Sequence, residues 1–236
     1  LSFEQLDTLT HVPDEVRAFH WLTFLDLSVN PLHCLPDWIG ELTSLEELRL
    51  FSCGLTSLPE SLCNLTRMLY LDLVNNPIRS IPGSIRSMRR LKKLDLSGCD
   101  LNVLPAWIGE FADLESLELE MNQLTELPDE ICELRNLEEL TLSGGSQIEH
   151  LPKEFGNLTQ LKTLDVRGNG LRDLPATFAD CKSIESIDLR RNQLTALPAC
   201  LKDFPNLDEL DIDYNPLPDN LLEAAGQVID ELLAQL

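Results

Sequence analysis

Nine prolines, each directly after an apolar residue, recur at Pro13, Pro36, Pro59, Pro82, Pro105, Pro128, Pro152, Pro175 and Pro198. Every step is 23 residues except the 24 between Pro128 and Pro152. A period of this length, held along a chain of 236 residues, means stacked units, each burying an apolar face against its neighbours. A single core built from unique elements would not carry it.

Aligned on the prolines, the units begin at Leu22, Leu45, Met68, Leu91, Leu114, Leu137, Leu161, Ile184 and Leu207. Each follows L-x-x-L-x-L-x-x-N/C-x-L-x-x-L-P-x-x-I-x-x-L-x-x, most fully in LESLELEMNQLTELPDEICELRN, residues 114–136. The stretch x-L-x-L-x alternates with period two, which predicts a short strand with leucines inward. Successive units then lay these strands side by side as a parallel sheet. The ninth position holds Asn30, Cys53, Asn76, Cys99, Asn122, Gly145, Asn169, Asn192 and Asn215. A small polar group there can satisfy backbone groups where the chain leaves the strand. That explains Cys53 and Cys99 without any reactive role. Proline cannot donate to a ladder and turns the chain onto the opposite side. Apolar pairs three apart, such as Ile108 with Phe111 and Ile131 with Leu134, predict a short helix or 3₁₀ turn there.

On these motifs the chain resembles leucine-rich-repeat proteins of the 23-residue type over nearly its whole length. The resemblance implies an α/β solenoid: a curved horseshoe with a parallel concave sheet and short convex helices or 3₁₀ turns. Nine strands about 4.8 Å apart span on the order of 40 Å. Residues 1–21 read as an N-terminal cap or degenerate repeat, 22–218 as the repeats, and 219–236 as a closing helix. In the last, Leu221, Ala225, Val228, Leu232 and Leu236 form an apolar stripe. Asn220 and Glu223 suit a capping box. This tail is similar to the ends of repeat arrays in bacterial leucine-rich-repeat proteins and Roco-type GTPases, which implies a bacterial-effector or Roco-like array.

Asp plus Glu number 40 against 18 Lys plus Arg, a formal net charge of −22. That sign disfavours nucleic acid and anionic membranes and favours a protein partner with a basic surface. No apolar run reaches membrane-spanning length. The chain opens without Met and without the basic and apolar regions of a signal peptide, as expected of a piece of something longer. Seven unclustered cysteines point to a reducing compartment: cytoplasm, or a host cytosol for a delivered effector.

No G-x-S-x-G, H-E-x-x-H, C-x-x-C or P-loop pattern occurs, so no catalytic role and no cofactor or metal is expected. Recognition must then sit on the outward strand positions, which packing leaves variable. Phe24, Phe51, Tyr70 and Val74 put apolar groups there, around Arg49. Aromatics and arginine dominate interface energetics. Phe51 and Val74 are expected on adjacent strands, close enough to touch. Arg167, Arg190, Arg191 and Tyr214 form a second candidate group near the end of the array. The fifth strand column is acidic at Asp26, Asp72, Asp95, Glu118, Asp165, Asp188 and Asp211, which reads as a solvated face or a dock for a basic segment. The expectation is a monomeric protein-binding module. The alternative is the substrate-recognition arm of a larger enzyme, a ubiquitin-ligase effector or a Roco-type GTPase.

Overall fold

The computed structural model describes residues 1–5 and 9–218. The predicted closing helix over 219–236, with its Asn220–Glu223 capping box, lies outside the described residues.

Nine strands form one open parallel sheet in sequence order. They are β1 (Phe24–Asp26), β2 (Glu47–Arg49), β3 (Tyr70–Asp72), β4 (Lys93–Asp95), β5 (Ser116–Glu118), β6 (Glu139–Thr141), β7 (Thr163–Asp165), β8 (Ser186–Asp188) and β9 (Glu209–Asp211). The register is that of the repeat: Leu25 lies beside Leu48, Leu48 beside Leu71, and so on to Ile187 beside Leu210. The strands are three residues long where the pattern predicted five. Interstrand bonding nevertheless runs on past them, with Leu50 N–H donating to Asp72 O at 3.0 Å and Ser52 N–H to Val74 O at 2.8 Å.

Opposite the sheet, a 3₁₀ turn follows each of the nine recurrent prolines, as in Asp37–Glu41, Ala106–Glu110 and Asp129–Glu133. The recurrent proline starts it. Pro36 has φ −71° and Pro105 φ −72°, within the range its ring enforces. Their carbonyls accept the first turn bonds, from Ile39 N–H at 3.0 Å and Ile108 N–H at 2.9 Å. The i, i+3 apolar pairs are the 3₁₀ period. Ile108, Phe111, Ile131 and Leu134 are all fully buried. Convex turns need more room than strands, so the solenoid curves with its sheet on the inside.

The ninth-position side chains join one repeat to the next. Asn122 Oδ1 accepts from Cys99 N–H (3.2 Å) and Leu101 N–H (2.9 Å) of the preceding repeat. Its Nδ2 donates to Leu96 O, Leu119 O and Glu120 O. Asn76 repeats this set on Cys53, Leu55, Leu50, Leu73 and Val74. Cys53 Sγ donates to Leu27 O and Cys99 Sγ to Leu73 O, both at 3.2 Å. These are the structural roles predicted for them. The one 24-residue repeat carries Gly145 instead, at φ 88°. A Cβ there would lie 2.5 Å from Asn122 O, so neither Asn nor Cys fits without a shift.

At the other end the degenerate first half still pairs. Phe3 N–H donates to Asp26 O at 2.8 Å and Asp26 N–H to Leu1 O at 3.0 Å.

Candidate functional site

Because β-strand side chains alternate, the third and fifth repeat positions stand on the concave face. The third-position residues Phe24, Glu47, Tyr70 and Lys93 pair in register across β1–β4. Arg49, from the fifth position of β2, lies between the two rings. Its guanidinium carbon is 5.3 Å from the centroid of Phe24 and 5.7 Å from that of Tyr70. Lys93 Nζ covers Tyr70 on the other side, also at 5.7 Å. Both cations are paired on the same face, Arg49 with Glu47 at 2.6 Å and Lys93 with Glu118 at 2.5 Å. Ring, cation, ring, cation thus alternate across four strands, and the sequence-predicted Phe24, Arg49 and Tyr70 come together. Phe51 and Val74 lie beyond the ends of β2 and β3, where the Ser52 N–H to Val74 O bond runs their backbones alongside each other. Phe51 is 36% exposed.

Five members of the acidic fifth column, read as a solvated face or a dock for a basic segment, also have a local backbone role. Asp26, Asp72, Asp95, Asp165 and Asp188 each accept the N–H two residues on, at 3.0–3.1 Å. These aspartates fasten the chain where it leaves the strand, a local side-chain-to-backbone bond that suits Asp. The x-D-x-x spacing after the inward leucine carried that signal.

Asp95 is the extreme case. Burial and the neighbouring Glu118 push its carboxyl up to about 7, against the pull of the Ser97 N–H. A carboxyl whose folded-state value lies above its unfolded one binds its proton more tightly when folded. Its contribution to stability is present below about pH 4 and lost as pH rises through about 7. Asp95→Asn, which keeps an acceptor for Ser97, is therefore expected to raise stability at pH 8 by on the order of 1 kcal/mol and to change little at pH 4. Thermal melts at both pH values check this; an equal offset at the two would rule out Asp95 as the titrating group.

Toward the other end, Arg167, Arg190, Arg191 and Tyr214 line a concave cavity of ≈ 490 Å³. Arg190 lies against Asp188 at 2.5 Å, and Arg167 reaches Asp165 at 3.4 Å and Asp188 at 3.7 Å. Arg191 stacks on Tyr214, guanidinium to ring 5.4 Å. The second predicted group thus lines one cavity, on later strands than the first. Among the described residues, no group of three or more His, Cys, Asp or Glu is placed to hold a metal ion, and no helix is long and apolar enough to cross a membrane.

A stacked array with a long, open, side-chain-rich concave sheet defines a solenoid of the kind that typically binds other molecules rather than transforming them. The chain is a leucine-rich-repeat protein. Family models described as leucine-rich repeat region and leucine-rich repeat match residues 59–146, 159–217 and 44–65. A comparison with curated protein sequences gives no significant match. Among solved structures, a leucine-rich-repeat protein of Leptospira interrogans is 27% identical with TM-score 0.64, over 97% of this chain and 74% of that one. The plant peptide hormone receptor RGFR1, in complex with RGF2, is 28% identical with TM-score 0.75, over 88% of this chain and 34% of the receptor chain. An internalin of Listeria monocytogenes, 24% identical with TM-score 0.78 over 92% of this chain and 62% of its own, shares the fold. The chain therefore spans about a third of the receptor and under two thirds of the internalin.

Proposed function

We propose that this chain is a protein-interaction module whose concave face takes up a partner protein. Phe24, Arg49, Phe51, Tyr70 and Val74 are its main contact. The observation that carries this reading is the alternating Phe24–Arg49–Tyr70–Lys93 row. A sheet face with no partner needs only polar groups, whereas this one holds two rings and a guanidinium, the residue types that anchor interfaces. The mutual stacking also holds them in place before binding, which reduces the ordering cost of association. A plant peptide hormone receptor of the same fold, in complex with RGF2, supports a protein or peptide ligand. The net charge of −22 favours a partner with a basic surface.

The module acts as a monomer in a reducing compartment, which we take to be the cytoplasm. All seven cysteines are unpaired. Burial pushes the thiols of Cys53, Cys99, Cys132 and Cys181 up to about 11–12, so these four are inert.

The test is affinity capture from cytosolic lysate with the parent and with an Arg49→Ala, Tyr70→Ala double variant of matched thermal stability. The partner retained by the parent is expected to bind the variant at least about 30-fold more weakly, the loss of a hot spot worth about 2 kcal/mol. Equal affinity of parent and variant for that partner would show that the N-terminal row is not the contact.

A further inference from the structure

The eighth residue of every repeat takes a left-handed backbone conformation just past the strand. The column is Val29, Ser52, Asn75, Gly98, Met121, Gly144, Gly168, Arg191 and Tyr214, with φ between 51° and 74° throughout. Glycine is the relaxed choice for such a backbone, yet six of the nine carry a side chain there. Each side chain is a fixed post on the rim of the concave face, and each glycine a gap. Gly144 and Gly168 are the only consecutive pair of gaps in the column. They make a notch two repeats wide, with Met121 on one side and the stacked Arg191 and Tyr214 on the other. Arg167 and Arg190 line the same cavity.

The charges decide what fits. Arg167 and Arg190 lean on Asp165 and Asp188. Glu120 accepts from Ser143 Oγ at 2.9 Å. Among the described residues Arg191 meets no carboxylate; it rests on the Tyr214 ring, which leaves its planar N–H edge open. One guanidinium without a carboxylate partner among the described residues matches a monoanion, and a carboxylate fits that edge in two parallel bonds. A doubly charged phosphate would face Glu120 and the aspartates, with Arg167 and Arg190 already on carboxylates. Met121 and Tyr214, 59% and 73% exposed, add apolar surface beside it.

We propose that the notch over Gly144 and Gly168 seats an Asp or Glu side chain of the partner, gripped by Arg191, with the partner's adjoining apolar side chain against Met121 and Tyr214. This rests on the concave-face reading above. Arg49 and Tyr70 lie about five strand spacings away, roughly 24 Å, so an inert notch beside a working N-terminal row would remove this proposal alone.

The test uses the ¹⁵N-labelled chain and two blocked tripeptides, acetyl-Leu-Asp-Leu-amide and its Asn counterpart, neither with a free terminal carboxylate. The expected result is a saturable shift of the Gly144 and Gly168 backbone amide resonances, which parent and variant share, by the Asp peptide at millimolar concentration. Binding should be about tenfold weaker for the Asn peptide, and about tenfold weaker again for the Asp peptide on Arg191→Gln, an exposed change that leaves the core untouched. No saturable shift, equal affinity for the two peptides, or undiminished binding by Arg191→Gln would each overturn it. Inorganic phosphate binding more tightly than the Asp peptide would overturn the assignment to a carboxylate.

Discussion

Asn122→Ala is expected to lower the unfolding free energy by about 3–5 kcal/mol, although it removes only a small polar side chain. The reason is the number of backbone groups this amide serves. Its oxygen takes the N–H groups of Cys99 and Leu101, and its nitrogen serves the carbonyls of Leu96, Leu119 and Glu120. Asn122 is fully buried, so water does not replace the lost partners. A buried backbone group left unpaired costs about 1–3 kcal/mol, and the two N–H donors alone account for most of the expected loss. Cys99→Ala provides the contrast. Cys99 supplies one weak S–H donor, to Leu73 O, and its removal should cost nearer 1–2 kcal/mol. Urea unfolding at constant m-value measures both, and equal losses would mean that the asparagine ladder contributes no more than packing volume.

The second large effect concerns glycine. A Cβ on Gly156 would sit 2.0 Å from Thr177 O and 2.8 Å from Thr177 C, the backbone of the next repeat's 3₁₀ turn. Those atoms cannot swing aside as a side-chain end would. Gly156→Ala must therefore push two turns apart, at about 3 kcal/mol or more. At Gly83 an added Cβ meets nothing within 4 Å and φ is not positive. Gly83→Ala should be neutral or stabilising by about 0.5 kcal/mol, through a less flexible unfolded chain. Thermal melts of the pair decide between close approach and general glycine entropy: under the latter the two variants would shift alike.

Gly156 also shows where the repeat pattern stops being informative. Gly40, Gly109 and Gly156 stand at the same place, four residues after the proline, and a Cβ on any of them would meet the next turn's backbone. In the sequence that place reads as an unconstrained x. The inward leucines, the asparagine–cysteine ladder, the proline turns and the parallel order were all legible, because each follows from a period acting on one repeat. The side-chain geometry between neighbouring strands was not. Arg49 stacks on Phe24 and Tyr70 only because strand register sets residues 23 apart side by side and a rotamer carries the guanidinium between them. Residue types at outward positions announced a candidate surface there, but not its geometry. The aspartate bonds to the second N–H ahead escaped for a different reason. They are local and repeat faithfully, and the net charge drew attention to the sign of the column instead of to its acceptors. The left-handed eighth column was hidden as well, since Val29, Arg191 and Tyr214 are residue types that give no hint of positive φ.

That column separates two jobs that most proteins entangle. The fold is written in the leucines, the ladder and the prolines, while each rim post is attached to a backbone whose conformation is the same whatever side chain it carries. A post can be exchanged without retuning its neighbours. The array thus works as a row of independent addresses, where a new specificity can be spelled one repeat at a time and the scaffold beneath stays as it was.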